Sequence, residues 1–192
     1  GIIGAVTNNN RGVAGVSWGI NLIPVRVLDG RSGDLFDVLE GVYYSIDEKV
    51  DIINLSLGIP ADEINNDDIS SFREAIEEAT SENIIVVAAA GNTSSIQYPA
   101  IYQETIAVGA VDINNQITSY SPADSRIDLV APGGEGNGIL STWGYYDNGS
   151  YIRDYDYMTG TSMSAAYVSG AVALLLESGV RPSDIRSRLT ST

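Results

Sequence analysis

Short, mostly apolar runs alternate along this chain with longer stretches in which apolar residues recur every three or four positions. The runs are Asn21–Leu28, Asp51–Gly58, Ile84–Asn92, Thr105–Val111 and Ile127–Gly133. Each has the length of a strand buried on both faces, bounded by Gly, Pro, Asn or Asp. Between them, Leu35, Val38, Leu39, Val42 and Ile46 mark one face of a helix running to about Lys49. Ile69, Phe72, Ile76 and Ala79 mark a second helix, and Asp67 and Asp68 at its start suit the helix dipole. Glu74, Glu77 and Glu78 fall on its solvated side. A strand, a helix and a second strand imply a right-handed crossover and a parallel pair. Repetition of that unit predicts an α/β fold of three layers: a mostly parallel, twisted sheet with helices on both faces.

The ends of the chain read differently. Gly1–Val6 has the small residues of a helix end. Ile139–Trp143 and Tyr151–Met158 flank Asn148-Gly149, a strong hairpin signal. The hairpin aromatics Trp143, Tyr145, Tyr146, Tyr151, Tyr155 and Tyr157 are expected to pack rather than to bind. Near the C-terminus, Pro182 sits where a last helix begins.

One stretch stands apart. Gly160-Thr161-Ser162 runs into a helical pattern that stays apolar on nearly every side until Glu177. Such a helix belongs in a core, and Ala165, Ala166, Ser169, Gly170 and Ala173 let it approach its neighbours closely. A buried helix start needs partners for its free N–H groups, and its positive dipole end favours an anion. Ser162 is either a simple cap there or a nucleophile beside its own oxyanion donor.

Composition narrows the functions. A chain of 192 residues, 44% hydrophobic and 18% charged, suits one globular domain. Asp and Glu outnumber Lys and Arg 25 to 10, and the net charge of −15 argues against nucleic-acid binding. No run approaches the roughly 20 apolar residues of a membrane span. The lack of cysteine excludes disulfides and thiolate chemistry. The lack of histidine matters most, because a serine hydroxyl at neutral pH needs a base.

Gly160-Thr161-Ser162-Met163, followed by Val168, Gly170 and the apolar helix, resembles the nucleophile segment of the subtilisin-like serine proteases. Two positions depart from that pattern: Ala166 stands where the family has proline, and Tyr167 where it usually has histidine. The resemblance extends over nearly the whole chain and implies that residues 1–192 are the C-terminal part of a catalytic domain. It places the triad histidine just upstream of Gly1 and the triad aspartate further upstream. It makes Ser162 the nucleophile and Asn92 the side-chain oxyanion donor. By the same resemblance, Ser56-Leu57-Gly58 and Arg31-Ser32-Gly33 pair with an extended peptide substrate. Ala89, Ala90 and Gly91 then wall the primary specificity pocket. The loop Thr7–Val13 resembles a calcium loop, with the Asn9 amide oxygen and the carbonyls of Thr7, Arg11 and Val13 as ligands. Calcium there is structural, and the chemistry itself requires no cofactor.

A propeptide, secretion and a monomeric state are further expectations of the resemblance. The principal alternative is a catalytically inactive relative that keeps only the peptide-binding strands. A nucleotide-binding Rossmann domain is disfavoured, because Gly12, Gly15 and Gly19 do not fit G-x-G-x-x-G.

Overall fold

The computed structural model describes residues 1–30 and 32–191. Its centre is a four-stranded sheet of β1 (Ile52–Leu55), β2 (Ile85–Ala89), β3 (Ile106–Val111) and β4 (Leu129–Pro132). The strands lie in the order β1-β2-β3-β4, and every pair is parallel. Alternation along the strands divides the core in two. Val86 and Ala88 face a cluster built with Val38 and Val42 of α1 (Leu35–Asp47) and Phe72, Ala75 and Ile76 of α2 (Asn66–Ser81). Val87 and Ala89 face the opposite way, onto Ala165, Val168 and Val172 of α3 (Thr161–Glu177) and Ile185 of α4 (Ile185–Thr190). This is the expected three-layer arrangement, with period-two side chains serving both faces at once.

Local chemistry sets the helix starts. The Asp34 carboxylate accepts Phe36 N–H at 2.8 Å to open α1, and Asn65 Oδ1 accepts Asp68 N–H at 2.9 Å to open α2. At α3 the cap residue is Gly160, which has no side chain to offer. Its φ of 147° falls in a region that L side chains rarely adopt, so glycine is required there. Further along α3, a methyl on Gly170 would stand 2.6 Å from Val16 Cβ, which shows how closely the helix passes this loop.

One expected element differs. Residues 21–28 form no strand, and Leu22, Ile23 and Val25 are exposed. The apolar run signals a preference for burial, whereas a strand is held by hydrogen-bonded neighbours. Among the described residues β1 is paired only on its β2 side. A groove of about 1310 Å³ separates residues 20–28 from β1, floored by Ser169, Ala173 and Leu176 on one side and roofed by Val38 and Val42 on the other. Gly1–Val6 makes a single turn, closed by Ala5 N–H to the Gly1 carbonyl at 2.9 Å, the i→i+4 bond of a helical turn.

The hairpin forms as expected, from β5 (Ile139–Asp147) and β6 (Ser150–Met158), with positive φ at Asn148 and Gly149. Its aromatics do not pack as expected: Trp143 is 43% exposed, Tyr157 59% and Tyr146 77%. A two-stranded ribbon has two faces to cover, and Tyr155 meets the loop at Gly12.

Candidate active site

The carboxyl ends of β1 and β2 and the amino end of α3 meet at one edge of the sheet, where parallel α/β folds place their sites. Three of the residues singled out in the sequence converge there. Asn92 follows β2 and reaches across to α3, and its Oδ1 accepts Thr161 N–H at 2.8 Å. The cap that Gly160 cannot supply therefore comes from a different part of the chain. With Oδ1 engaged on the helix, Nδ2 is the end of the amide left to donate outward. Ser162 is the second residue of α3, where a backbone N–H has no partner within the helix. Two donors, Asn92 Nδ2 and Ser162 N–H, thus lie at one helix N-terminus.

Ser162 and Ser56 are joined reciprocally. Ser162 Oγ–H donates to the Ser56 carbonyl at 2.9 Å, and Ser56 Oγ–H donates to the Ser162 carbonyl at 2.9 Å. Behind this pair, Asn54 Nδ2 donates to Ser56 Oγ at 2.8 Å and Ser169 Oγ–H donates to Asn54 Oδ1 at 2.9 Å. One hydrogen-bonded chain therefore ties the middle of α3 to the end of β1 and back to Ser162. Thr161, fully buried, does the same for β2: its hydroxyl accepts Gly91 N–H at 3.1 Å and lies 3.1 Å from both Gly91 O and Asn92 Oδ1. Gly160 N–H adds a bond to the Gly133 carbonyl at 3.0 Å, which anchors the turn to the end of β4.

The remaining predicted residues are distributed unevenly. Ala89, Ala90 and Gly91 are buried at the end of β2 beside Asn92. Leu57 packs against the α1–α2 core, while Ser56 and Gly58 face outward. Ser32 and Gly33 lie in an exposed turn closed by Asp29 N–H to the Ser32 carbonyl at 2.9 Å. No hydrogen bond among the described residues ties that turn to Ser56, Asn92 or Ser162; Arg31 lies outside the described residues. Thr7, Asn9, Arg11 and Val13 form a separate loop in which Asn9 Oδ1 accepts Arg11 N–H at 3.0 Å, an Asx turn. The loop carries the hydroxyl of Thr7 and the amide oxygens of Asn8, Asn9 and Asn10 but no carboxylate, and the Asn9 oxygen is already engaged. Among the described residues no group of three or more acidic or metal-binding side chains gathers.

Thr161, Asn54 and Ser169 act as supports that no sequence motif marks. Their polar side chains in otherwise apolar surroundings were the available signal, because a buried hydroxyl or amide requires a partner.

The family model described as the Subtilase family matches residues 1–192. This chain belongs to the subtilase family. It is 40% identical over 180 residues to the major intracellular serine protease of Bacillus subtilis (strain 168), covering 89% of this chain and 51% of that protein. It is 37% identical over 199 residues to subtilisin E of the same organism, covering 98% of this chain and 48% of the relative. Among solved structures, a protease from Pseudoalteromonas arctica PAMC 21717 superposes with a TM-score of 0.86 at 34% identity, over all of this chain and 61% of the other. The subtilase chain described here therefore spans about half the length of the curated relatives it matches. Among its described residues no helix is long and apolar enough to cross a membrane.

Proposed function

We propose that the full-length subtilase is a serine endopeptidase in which Ser162 attacks the peptide carbonyl and Asn92 Nδ2 and Ser162 N–H hold the oxyanion. The observation that carries this reading is the 2.8 Å bond from Thr161 N–H to Asn92 Oδ1, which fixes the amide with its donor end outward beside the nucleophile. Donors held in place before reaction are effective because they need no reorganisation as charge develops. Attack proceeds as the Ser162 hydroxyl exchanges its bond to the Ser56 carbonyl for one to a base. The 192 residues contain no histidine, so that base comes from elsewhere in the full-length protein, and this segment alone is expected to hydrolyse peptides only at a residual rate.

Peptide or protein substrates, a propeptide, a monomeric state and secretion belong to the same proposal. Secretion is tested by recovery from medium or cells, since one relative is intracellular by name. Calcium at the Thr7–Val13 loop enters as a structural ion whose further oxygens lie outside this loop, and no catalytic step passes through it.

The deciding experiment treats the full-length protein with a serine-directed fluorophosphonate. Labelling should be lost in Ser162→Ala. Asn92→Ala should lower kcat by about 10²–10³ with little change in KM, a magnitude carried over from the same donor in a subtilisin. Labelling that survives in Ser162→Ala refutes the assignment.

A further inference from the structure

Ser169 carries a buried hydroxyl in the middle of α3, two helical turns beyond Ser162 and on the same face. A serine inside a helix commonly returns its hydroxyl to the carbonyl four residues back. Ser169 instead sends it to another element: Oγ–H donates to Asn54 Oδ1 on β1 at 2.9 Å.

That bond fixes which way round the Asn54 amide lies. With Oδ1 turned to α3, Nδ2 is turned to Ser56 and donates to its Oγ at 2.8 Å. A hydroxyl that accepts on one side still has its single hydrogen to give. Ser56 gives it to the Ser162 carbonyl at 2.9 Å. Three donations therefore run in one direction, from Ser169 through Asn54 and Ser56 to the backbone of Ser162. Without the Ser169 hydroxyl, the amide has one bond to make with Ser56 in either orientation. In the reversed one, Oδ1 captures the Ser56 hydrogen and the Ser162 carbonyl loses that donor.

The last bond of the chain gains weight during reaction. At rest, Ser162 is held to the end of β1 twice, through its own hydroxyl on the Ser56 carbonyl and through its carbonyl under the Ser56 hydroxyl. When the Ser162 hydroxyl leaves for a base, the second of these bonds stays in place. We propose that Ser169 is a positioning residue: through Asn54 and Ser56 it keeps the backbone of Ser162 fastened to β1 while the hydroxyl is free to react. The inference rests on the proposed role of Ser162 as nucleophile. A misplacement of about 1 Å can cost on the order of 10²-fold in rate, so a tie of this kind acts on acylation. It makes no contact with substrate and leaves affinity alone.

The test compares full-length wild type, Ser169→Ala, Ser56→Ala and the double variant. It reads the rate of fluorophosphonate labelling, and kcat and KM on one peptide. Ser56→Ala removes the side-chain bonds but keeps the carbonyl that accepts the Ser162 hydroxyl. Ser169→Ala should slow labelling and lower kcat by about twofold to tenfold, the range of one net hydrogen bond, with KM unchanged. The two losses should not add: the double variant should be as slow as Ser56→Ala and no slower. Alanine favours the helix, and thermal melts establish that each variant is folded. Equal slowing by Ser169→Ala with and without the Ser56 hydroxyl means that it acts through packing alone, and overturns the inference. So does an unchanged rate in Ser169→Ala, a change confined to KM, or a Ser169→Ala protein that fails to fold. Wild-type protein that takes no label at Ser162 sinks the catalytic reading and this inference together, whereas a labelled wild type with an indifferent Ser169 sinks the inference alone.

Discussion

On the proposed reading, a single amide at residue 92 carries two duties that point in opposite directions. Its oxygen caps α3 through Thr161 N–H, and its nitrogen faces the site. Substituting each end separately should divide the duties. In Asn92→Asp one carboxylate oxygen keeps the cap and gains from the helix N-terminus about 0.3–1 kcal/mol. The other oxygen places a negative acceptor where the developing oxyanion needs a donor. The variant is therefore expected to match or exceed the wild type in melting temperature while acylating more slowly than Asn92→Ala. Acylation rates and thermal melts of the two variants check this; an Asn92→Asp protein faster than Asn92→Ala contradicts it. Asn92 stands out in the sequence as a candidate through the resemblance of the Gly91-Asn92 run. The orientation of its amide is not legible there, since it depends on Thr161, 69 residues away.

Among the elements, α3 was the most legible, because nothing but a core accepts a helix apolar on all sides. The sequence also marks Ala166 as a departure from the family's proline, and the structure shows what that position touches. Helical spacing pairs the Ala166 N–H with the Ser162 carbonyl, which also accepts the Ser56 hydroxyl at 2.9 Å. Proline at 166 removes the first donor but leaves the second. Its cost in stability should therefore fall below the roughly 3 kcal/mol of an interior helix proline. Adding Ser56→Ala strips the carbonyl of both donors. Denaturant unfolding of the two single variants and the double variant should show a coupling on the order of 1 kcal/mol. Additive losses mean that the Ser56 bond does not shield the turn. Residues 21–28 show the opposite limit of legibility. Leu22, Ile23, Val25, Val27 and Leu28 give them a largely apolar pattern, yet a pattern records only that side chains favour burial, and pairing is decided by what lies alongside.

Across the whole molecule, the four strands run the same way, so the sheet has a chemical end and a structural end. Ser56, Asn92 and the start of α3 lie at the carboxyl end, while the turns entering β1 and β2 lie at the other. Glu82 is exposed at that far end, just past α2 and before β2. The chain also has no cysteine. A thiol introduced as Glu82→Cys would be the single attachment point on this segment for a dye, a surface or a second protein. Labelled and unlabelled full-length protein should give the same kcat/KM, and a drop of tenfold or more would mean that the two ends of the sheet are mechanically connected. Polarity of strand direction thus becomes a practical asset: one end of this molecule can be held while the other works.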